Sequence, residues 1–267
     1  MRRGVAVLLL ATLLSGALAA CASGPGGRGD GPGRGRGGGR GDRGAAMRPY
    51  AQPSDVIAAE LGMGRAARDE GQWTALAERA ADGARIDWNG SAGDAAGWLS
   101  GRANPAAADR WSAREAWASC DGSVVVATGI GSDAAGQWSR FTRVWERERR
   151  GGDYRWSYTL WQPDAELTRT RQEEARERAA TAAEDADAIL VESLNFVRAR
   201  VAECPQRPAG QRRAPDDRDA PPATPGMARD GTLRWSATPG TLSAWWLVGG
   251  EWQQIHPQPT DGPTGAS

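Results

Sequence analysis

The chain has 267 residues, and its 33 basic residues, all of them Arg, balance 33 Asp and Glu residues. A formal net charge of zero argues against a nucleic-acid-binding protein, because such proteins concentrate positive charge to neutralise phosphates. The sequence contains one His, His256, and three Cys: Cys21, Cys120 and Cys204. So few His and Cys residues leave little material for a metal site, and we expect neither a metal nor a cofactor.

The first 21 residues predict export. Arg2 and Arg3 precede an apolar run, which is too short for a membrane-spanning helix, and small residues follow it up to Cys21. The ending Leu-Ala-Ala-Cys resembles the lipobox of bacterial lipoproteins, which implies a signal peptide over residues 1–20 and membrane attachment through a lipid on Cys21. Ala22 then implies an envelope protein of the outer membrane that faces the periplasm. The alternative is an ordinary secretory signal followed by a chance cysteine.

Residues 21–49 form a Gly- and Arg-rich segment that we expect to be disordered. Between residues 24 and 48 the segment has six Arg, two Asp and almost no apolar side chains, so it cannot offset the entropy of ordering. We interpret it as a flexible tether between the lipid surface and a folded domain. Its Arg-Gly repeats are similar to RNA-binding segments but lack interleaved aromatic residues, so we expect no nucleic-acid partner.

Residues 50–166 alternate between helical and strand patterns and predict the main folded domain. Apolar residues at helical spacing predict a helix from Ser54, a plausible N-cap, to about Ala80, which Gly71 weakens or divides. These residues are Ile57, Leu61, Ala66 or Ala67, Trp73 and Leu76. A short strand, a short helix and four longer strands are predicted next, over residues 84–88, 94–99, 111–120, 123–130, 137–147 and 154–161. Helices followed by an antiparallel meander predict an α+β fold class.

Several stretches of this domain carry a family resemblance. They are PSDVIAAELGMGRAARDEGQWTALAERAADGARIDW, GWLSGRANP, REAWASCDGSVVVATG, WSRFTRVWERE and YRWSYTLWQPD. Their content and order resemble the nuclear-transport-factor-2-like superfamily, which includes SnoaL-like polyketide cyclases and steroid isomerases. The resemblance covers residues 50–166 and implies a cone, in which a long helix packs on a curved antiparallel sheet and leaves a pocket.

The resemblance also implies where catalysis would take place. Catalytic members commonly pair an Asp with a His or Tyr in the pocket, and residues 50–166 contain no His. Asp87 remains as a weak candidate for a general base, because it lies between the apolar residues Ile86 and Trp88 on a predicted strand. The alternative is a solvent-facing Asp on an edge strand.

Four further side chains are candidates for the pocket lining: Trp88, Arg102, Arg143 and Tyr158. Arg143 shares a predicted strand face with Phe141 and Trp145, where a guanidinium can bind an anionic ligand or stack on an indole. The alternative is an outer sheet face that forms a homodimer contact. Nine of the 13 Trp residues lie between residues 73 and 161, which indicates either a packed core or a sugar-stacking platform.

The C-terminal third predicts a connector and a small β-rich extension. Residues 167–188 are rich in Ala, Arg and Glu and lack an apolar stripe, so we expect a solvated, charged helix. Residues 189–257 contain three clear strand patterns after the Pro-rich segment 205–230, which we expect to be a disordered loop. We expect the tail, residues 258–267, to be disordered as well.

Two cysteines remain once Cys21 is assigned to a lipid. An oxidising compartment favours a disulfide between Cys120 and Cys204. Such a bond would tie the small β-rich extension to the first domain, whereas the alternative is two buried free thiols.

Three functions are compatible with these patterns. The first is a lipid-anchored envelope protein whose domain binds a small hydrophobic or anionic ligand, or a partner, without catalysis. The alternatives are a structural or assembly protein of the envelope, and a SnoaL-like isomerase, dehydratase or cyclase. The lack of His in the domain weighs against an enzyme, a closed pocket with a buried carboxylate would favour one, and an interior filled by Trp side chains would count against one.

Overall fold

A mixed seven-stranded sheet lies at the centre of the computed structural model, which describes residues 51–149, 151–184, 196–204 and 226–256. Several predictions fall on residues outside this part of the chain. They are the signal peptide 1–20, the lipidated Cys21, the tether 21–49, the end of the connector at 185–188, most of the loop 205–230, and the tail 258–267.

The described residues contain four helices and ten strands. The helices are α1 Pro53–Asp69, α2 Gln72–Glu78, α3 Ala95–Ser100 and α4 Ala165–Glu184. The strands of the larger sheet are β1 Ala80–Trp88, β2 Ser91–Asp94, β3 Arg110–Ala118, β4 Val124–Ser132, β5 Trp138–Glu146, β6 Arg155–Pro163 and β7 Arg198–Val201. The strands of a second, three-stranded sheet are β8 Leu233–Thr238, β9 Thr241–Val248 and β10 Glu251–Gln254.

The first helical region is divided at Gly71. Helix α1 begins with Pro53, whose fixed φ suits the first turn, and Asp55 lies in that turn near the positive end of the helix. The prediction that Ser54 is the N-cap is wrong, because Gln52 occupies the N-cap position. Gly71 has a φ of 111°, which residues with a Cβ rarely adopt, so the chain turns there and α2 starts anew.

The strand order of the larger sheet is β2-β1-β6-β5-β4-β3-β7. Strands β1 and β6 pair in parallel, as do β3 and β7, while the other neighbours pair antiparallel. The smaller sheet has the order β10-β9-β8 and is antiparallel throughout. Each strand of the larger sheet therefore presents alternate side chains to two opposite faces.

The two faces of the larger sheet carry separate cores. On the helix face, the helices α1, α2 and α3 pack on buried side chains that include Ile86, Phe141, Trp145, Trp156 and Trp161. On the far face, the smaller sheet packs on buried side chains that include Trp117, Val126, Val144, Tyr158 and Leu160. The result is three layers, with the larger sheet in the middle.

The predicted fold class, a cone of one long helix on a curved antiparallel sheet with a small β-rich extension, is wrong. The sheet is mixed, and four short helices accompany it in the described residues. The reason for the first difference is that segment order does not fix strand direction, and β1 pairs in parallel with the distant β6. The reason for the second is Gly71, which leaves helices of 17 and 7 residues on the helix face.

Helix α4 is the longest helix and follows β6 directly. Its buried residues Leu167 and Thr168 lie in the first turn, and an ion pair between Arg171 and Glu174, at 2.8 Å, follows them. Across the described ranges, no helix combines the length and the apolar character needed to cross a membrane.

Candidate functional site

A buried ion pair connects α1 to the helix face of the sheet. Glu60 of α1 and Arg143 of β5 are 2% and 0% exposed, and Nη1 of Arg143 donates to Oε2 of Glu60 at 2.5 Å. The indole N–H groups of Trp145 and Trp111 also donate to the Glu60 carboxylate, at 2.9 and 3.1 Å. Nε of Arg143 donates to Oγ1 of Thr159 at 2.9 Å. The carboxylate thus accepts three hydrogen bonds away from solvent.

The electrostatics of this pair favour a structural role. Burial lowers the pKa of Arg143, while the charge and hydrogen bond of Glu60 act in the opposite direction. With three donors around it, the Glu60 carboxylate has little acceptor capacity left for a substrate proton. Nη2 of Arg143 is buried and has no hydrogen-bond partner among the described residues.

A column of aromatic rings fills the helix-face interior next to the ion pair. The rings of Trp88 and Trp161 stack at 4.4 Å with an interplanar angle of 6°, and Trp161 stacks on Phe141 at 5.8 Å. On the other side, Trp73 meets both Trp88 and Trp98 edge-on, each at 5.2 Å. The rings therefore form a continuous packed column from α3 to the neighbourhood of the ion pair, where the resemblance had implied a pocket.

An open groove lies where this column reaches the surface. It has a volume of about 670 Å³, within the usual range for ligand sites. Between Ala80 and Arg85 strand β1 leaves its register with β6, and the protruding residues form one wall. The lining consists of Trp73, Thr74, Ala77, Glu78, Ala80, Ala81, Asp82, Gly83, Ala84, Asp94, Ala96, Leu99, Ser100, Arg102 and Asn104.

The rim of the groove is fixed by hydrogen bonds. The side-chain oxygen of Asn104 accepts the backbone N–H of Trp73 at 2.7 Å, and its amide donates to Oγ1 of Thr74 at 3.0 Å. Oδ2 of Asp94 accepts the backbone N–H of Gly97 at 2.9 Å and so caps α3. These contacts hold the groove walls in place without using the indole face of Trp73.

The charged side chains of the groove give it an acidic character. Glu78, Asp82 and Asp94 line it, against a single cation, Arg102. The guanidinium carbon of Arg102 lies 3.6 Å from the ring centroid of Trp98, so this cation is stacked on an aromatic ring. The excess of carboxylates favours neutral or cationic ligands over anionic ones.

A second, smaller cavity of about 350 Å³ lies near the start of α1. It is lined by Asp55, Arg79, Arg147, Asp153 and Tyr154, among others, so its charges nearly cancel. The Tyr154 hydroxyl donates to the carbonyl of Gly122 at 2.6 Å, and burial raises the pKa of Tyr154 to about 12. Neither this cavity nor the groove is lined by Glu60 or Arg143.

The catalytic candidate Asp87 lies on the far face, away from both the groove and the ion pair. Its carboxylate is 1% exposed, and Oδ2 accepts the backbone N–H of Gly240, in the turn between β8 and β9, at 2.6 Å. Oδ1 is buried without a hydrogen-bond partner among the described residues. Tyr158 lies on the same face against the ring of Trp235, and burial, with the charge of Asp87, raises its pKa.

The five candidate residues therefore do not meet in one pocket. Trp88 and Arg143 lie on the helix face, in the aromatic column and the ion pair. Arg102 lies at the groove, and Asp87 and Tyr158 lie on the far face under the smaller sheet.

Glu60 was missed because the helical stripe was assigned to the wrong side of α1. The sequence interpretation used Ile57 and Leu61, yet Leu61 is 54% exposed. The buried residues are Val56, Glu60, Met63, Gly64 and Ala67. Their spacing of three and four residues is the helical signal that would have placed Glu60 inside.

Cys120 and Cys204 are joined by a disulfide. Cys120 is fully buried after β3, and Cys204 follows β7, so the bond joins segments 84 positions apart in the sequence. In the described ranges, no three His, Cys, Asp or Glu side chains come together as a group that could hold a metal ion.

No protein-family model matches this chain, and a search of curated proteins finds no match either.

Proposed function

We propose that this chain is a lipid-anchored protein of the bacterial cell envelope whose folded region binds a small ligand or a partner without catalysing a reaction. The observation that carries the proposal is the contrast between two parts of the helix side. The interior is filled by aromatic rings and a neutralised ion pair, whereas the groove beside Trp73 is open.

The envelope location is supported by two independent features. The first is the sequence of residues 1–21, which is similar to a lipoprotein signal and ends in Cys21. The second is the disulfide between Cys120 and Cys204, because such bonds persist in oxidising compartments and are rare in the cytosol. We keep the outer membrane, on its periplasmic side, as the proposed location because Ala22 follows the cysteine.

The absence of catalysis is supported by the state of the buried acidic groups. Glu60 accepts three hydrogen bonds, and Asp87 lies under the turn that contains Gly240. The single His of the sequence, His256, lies exposed just after β10, distant in sequence from the groove residues. Acid–base catalysis needs a group within hydrogen-bond reach of a bound substrate, and neither Glu60 nor Asp87 lines a cavity described above. The carboxylates that do line the groove, Glu78, Asp82 and Asp94, are all solvent-exposed, unlike the buried carboxylate that would favour an enzyme.

The groove favours a particular class of ligand. Three carboxylates and one stacked Arg disfavour the anionic ligand expected from the sequence and favour a cationic or neutral molecule with an apolar part that rests on Trp73. A homodimer through the sheet stays a prediction, although β8 and β9 cover the far face within the same chain. Membership of the nuclear-transport-factor-2-like superfamily remains a proposal that rests on the sequence stretches alone.

The binding proposal can be tested with two probes of equal chain length. We expect octyltrimethylammonium, below its micelle concentration, to shift the indole N–H signals of Trp73 and Trp98 in ¹⁵N NMR spectra of the Cys21→Ser protein. Octanoate should shift them much less. Ala77→Trp places an indole in the groove and should abolish the effect, whereas Ala58→Trp, at the second cavity, is the matched control. Equal shifts by both probes, or shifts that survive Ala77→Trp, would contradict the proposal.

The anchor is tested separately by cell fractionation. Cys21→Ser removes the thiol that would carry the lipid, so we expect the variant in the soluble periplasmic fraction and the parent chain in the membrane fraction. Membrane attachment that is unchanged in the variant would contradict the lipid anchor while leaving the groove experiment unaffected.

A further inference from the structure

The outer face of the smaller sheet carries an unusual set of side chains. Its inner face packs on the larger sheet through Leu233, Ala244 and Trp246. Because side chains alternate along a strand, the neighbouring positions Arg234, Trp245, Leu247 and Trp252 point the other way, across three adjacent strands. Arg234 is directly opposite Trp245, and Leu247 is opposite Trp252. We call this set the outer Trp face.

Arg234 lies against both indoles of the outer Trp face. Its guanidinium carbon is 5.2 Å from the ring centroid of Trp245 and 4.6 Å from that of Trp252. The Trp252 side chain is among the few large hydrophobic groups that are exposed, at 37%. Among the described residues, no carboxylate forms an ion pair with Arg234 and no acceptor takes its N–H groups. Within the described ranges, the cation is thus held in place by aromatic contacts and its donors are unused.

This arrangement differs from an ordinary solvent-facing sheet. The solvated face of an antiparallel sheet is usually polar, whereas this face carries three adjacent apolar side chains, Trp245, Leu247 and Trp252, with polar ones around them. A contiguous apolar patch with a polar rim is typical of an interaction site. A planar guanidinium held on aromatic rings presents N–H groups that match a carboxylate in a bidentate manner. The polar side chains of Ser243 and Gln254 fall on the same face, beside Trp245.

We propose that the outer Trp face binds a carboxylated sugar unit of an acidic glycan chain. Arg234 takes the carboxylate, Trp252 supplies an apolar surface for the C–H groups of the sugar ring, and Ser243 and Gln254 can exchange hydrogen bonds with its hydroxyls. The charge complementarity comes from Arg234, which lacks a carboxylate partner in the described part of the chain. This site is separate from the groove beside Trp73.

A glycan fits this face better than a membrane surface does. Interfacial binding buries an apolar face several ångström into the lipid boundary. Trp245 and Leu247 are only partly exposed and Trp252 is 37% exposed, so little apolar side chain protrudes for insertion. A sugar ring needs only one flat aromatic surface and hydrogen-bonding groups at its edge.

The test uses a ligand pair that differs only in charge. We expect calorimetry on the Cys21→Ser protein to detect trigalacturonic acid, and its methyl ester, which is neutral, to bind about tenfold more weakly or worse. Arg234→Gln and Trp252→Ala should each weaken binding of the acid by about tenfold or more. Arg200→Gln is the matched control, because Arg200 lies 6.0 Å from the ring of Trp246 but belongs to the larger sheet.

Several outcomes would overturn the proposal. They are equal binding of acid and ester, no binding of either, or binding that Arg234→Gln leaves intact. Co-sedimentation with phosphatidylglycerol vesicles that is lost in Arg234→Gln would assign the face to a membrane instead. The groove variant Ala77→Trp should leave trigalacturonic acid binding unchanged, so failure of the groove proposal and failure of this one are distinguishable.

Discussion

The two faces of the larger sheet are built from the same strands but are held by different forces. On the helix face, indole rings pack on each other and enclose the ion pair between Glu60 and Arg143. On the far face, a separate sheet is attached by apolar packing and by hydrogen bonds such as that between Asp87 and Gly240. The first face depends on contacts within its interior, and the second on contacts between two sheets.

This difference suggests that the interior residues stabilise the fold, while ligands bind at surfaces outside the two cores. The helix-face interior is closed by packing, so we place binding at its rim, in the groove beside Trp73. The far face is closed by a β unit that is distant in the sequence, and that unit carries its own exposed face with Arg234 and Trp252. Each closed core thus leaves one candidate binding surface on the outside.

The largest effect is expected from breaking the ion pair of the helix face. Glu60→Leu leaves the Arg143 cation buried without a counter-charge and removes the acceptor of two indole N–H groups. The free energy of unfolding should fall by about 5 kcal/mol, as measured by urea denaturation.

Two further variants make this prediction specific. Asp69→Asn, on an exposed position of the same helix, should change the free energy of unfolding very little. Adding Arg143→Met to Glu60→Leu should recover much of the loss, because the unpaired charge is gone. A double variant that is as unstable as the single one would show that the pair is not the cause.

The next effect concerns the disulfide, which joins the ends of the neighbouring strands β3 and β7 of the larger sheet. Replacing Cys120 and Cys204 by Ala removes a bond between residues 84 positions apart, which the loop-entropy model values at about 4.5 kcal/mol. We expect faster hydrogen exchange in the edge strand β7 than in β4 and β5, since β7 loses its covalent tie to the end of β3. Equal acceleration in all three strands would mean that the disulfide does not hold the edge of the sheet independently of its centre.

The sequence predicted the positions of the strands of the larger sheet better than it predicted which strands pair with each other. The predicted segments 111–120, 123–130, 137–147 and 154–161 overlap β3 to β6, because alternating and β-branched runs are local signals. Parallel pairing of β1 with β6 depends on residues about 70 positions apart, and no local pattern contains it. The cone implied by the resemblance is wrong for this reason and because Gly71 divides the first helix.

The site residues illustrate the same limit. Strand alternation placed Arg143 beside Phe141 and Trp145, and the structure has all three on the helix face. Its partner Glu60 is 83 positions away on a helix, so only the tertiary fold brings the two together. Asp87 and Trp88 are neighbours on β1 and therefore point to opposite faces, but which face the helices cover and which the smaller sheet covers depends on the tertiary fold.

A smaller effect is expected from the hydrogen bond between Asp87 and Gly240. Asp87→Ala removes the acceptor that holds the turn between β8 and β9, and should lower the free energy of unfolding by about 1 kcal/mol. The amide of Gly240 should exchange faster, while amides of α1 should not change. Asp82→Ala, on an exposed position of the same strand, is the control. If both variants behave alike, Asp87 does not hold the turn.

The smallest effect is a pH dependence of the far face. Trp235 donates its indole N–H to Oε1 of Glu146 at 3.2 Å, and burial raises the pKa of Glu146 above its ordinary value of 4.5. The folded chain therefore keeps the proton of Glu146 to a higher pH than the unfolded chain does. It follows that the free energy of unfolding falls as the pH rises from about 4.5 through the pKa of the folded state.

Glu146→Gln isolates this contribution, because the amide keeps an oxygen acceptor for Trp235 but does not titrate. Measured by urea denaturation, its free energy of unfolding relative to the parent chain should be higher at pH 7 than at pH 4. For Asp164→Asn, the free energy of unfolding relative to the parent chain should change with pH in the opposite direction. Burial raises the pKa of Asp164, but hydrogen bonds from the Leu167 N–H and from Arg140 outweigh burial and leave it below 3.8. Asp164 thus stabilises the fold above pH 3.8 and loses this effect as the pH falls, so equal slopes for the two variants would contradict the assignment.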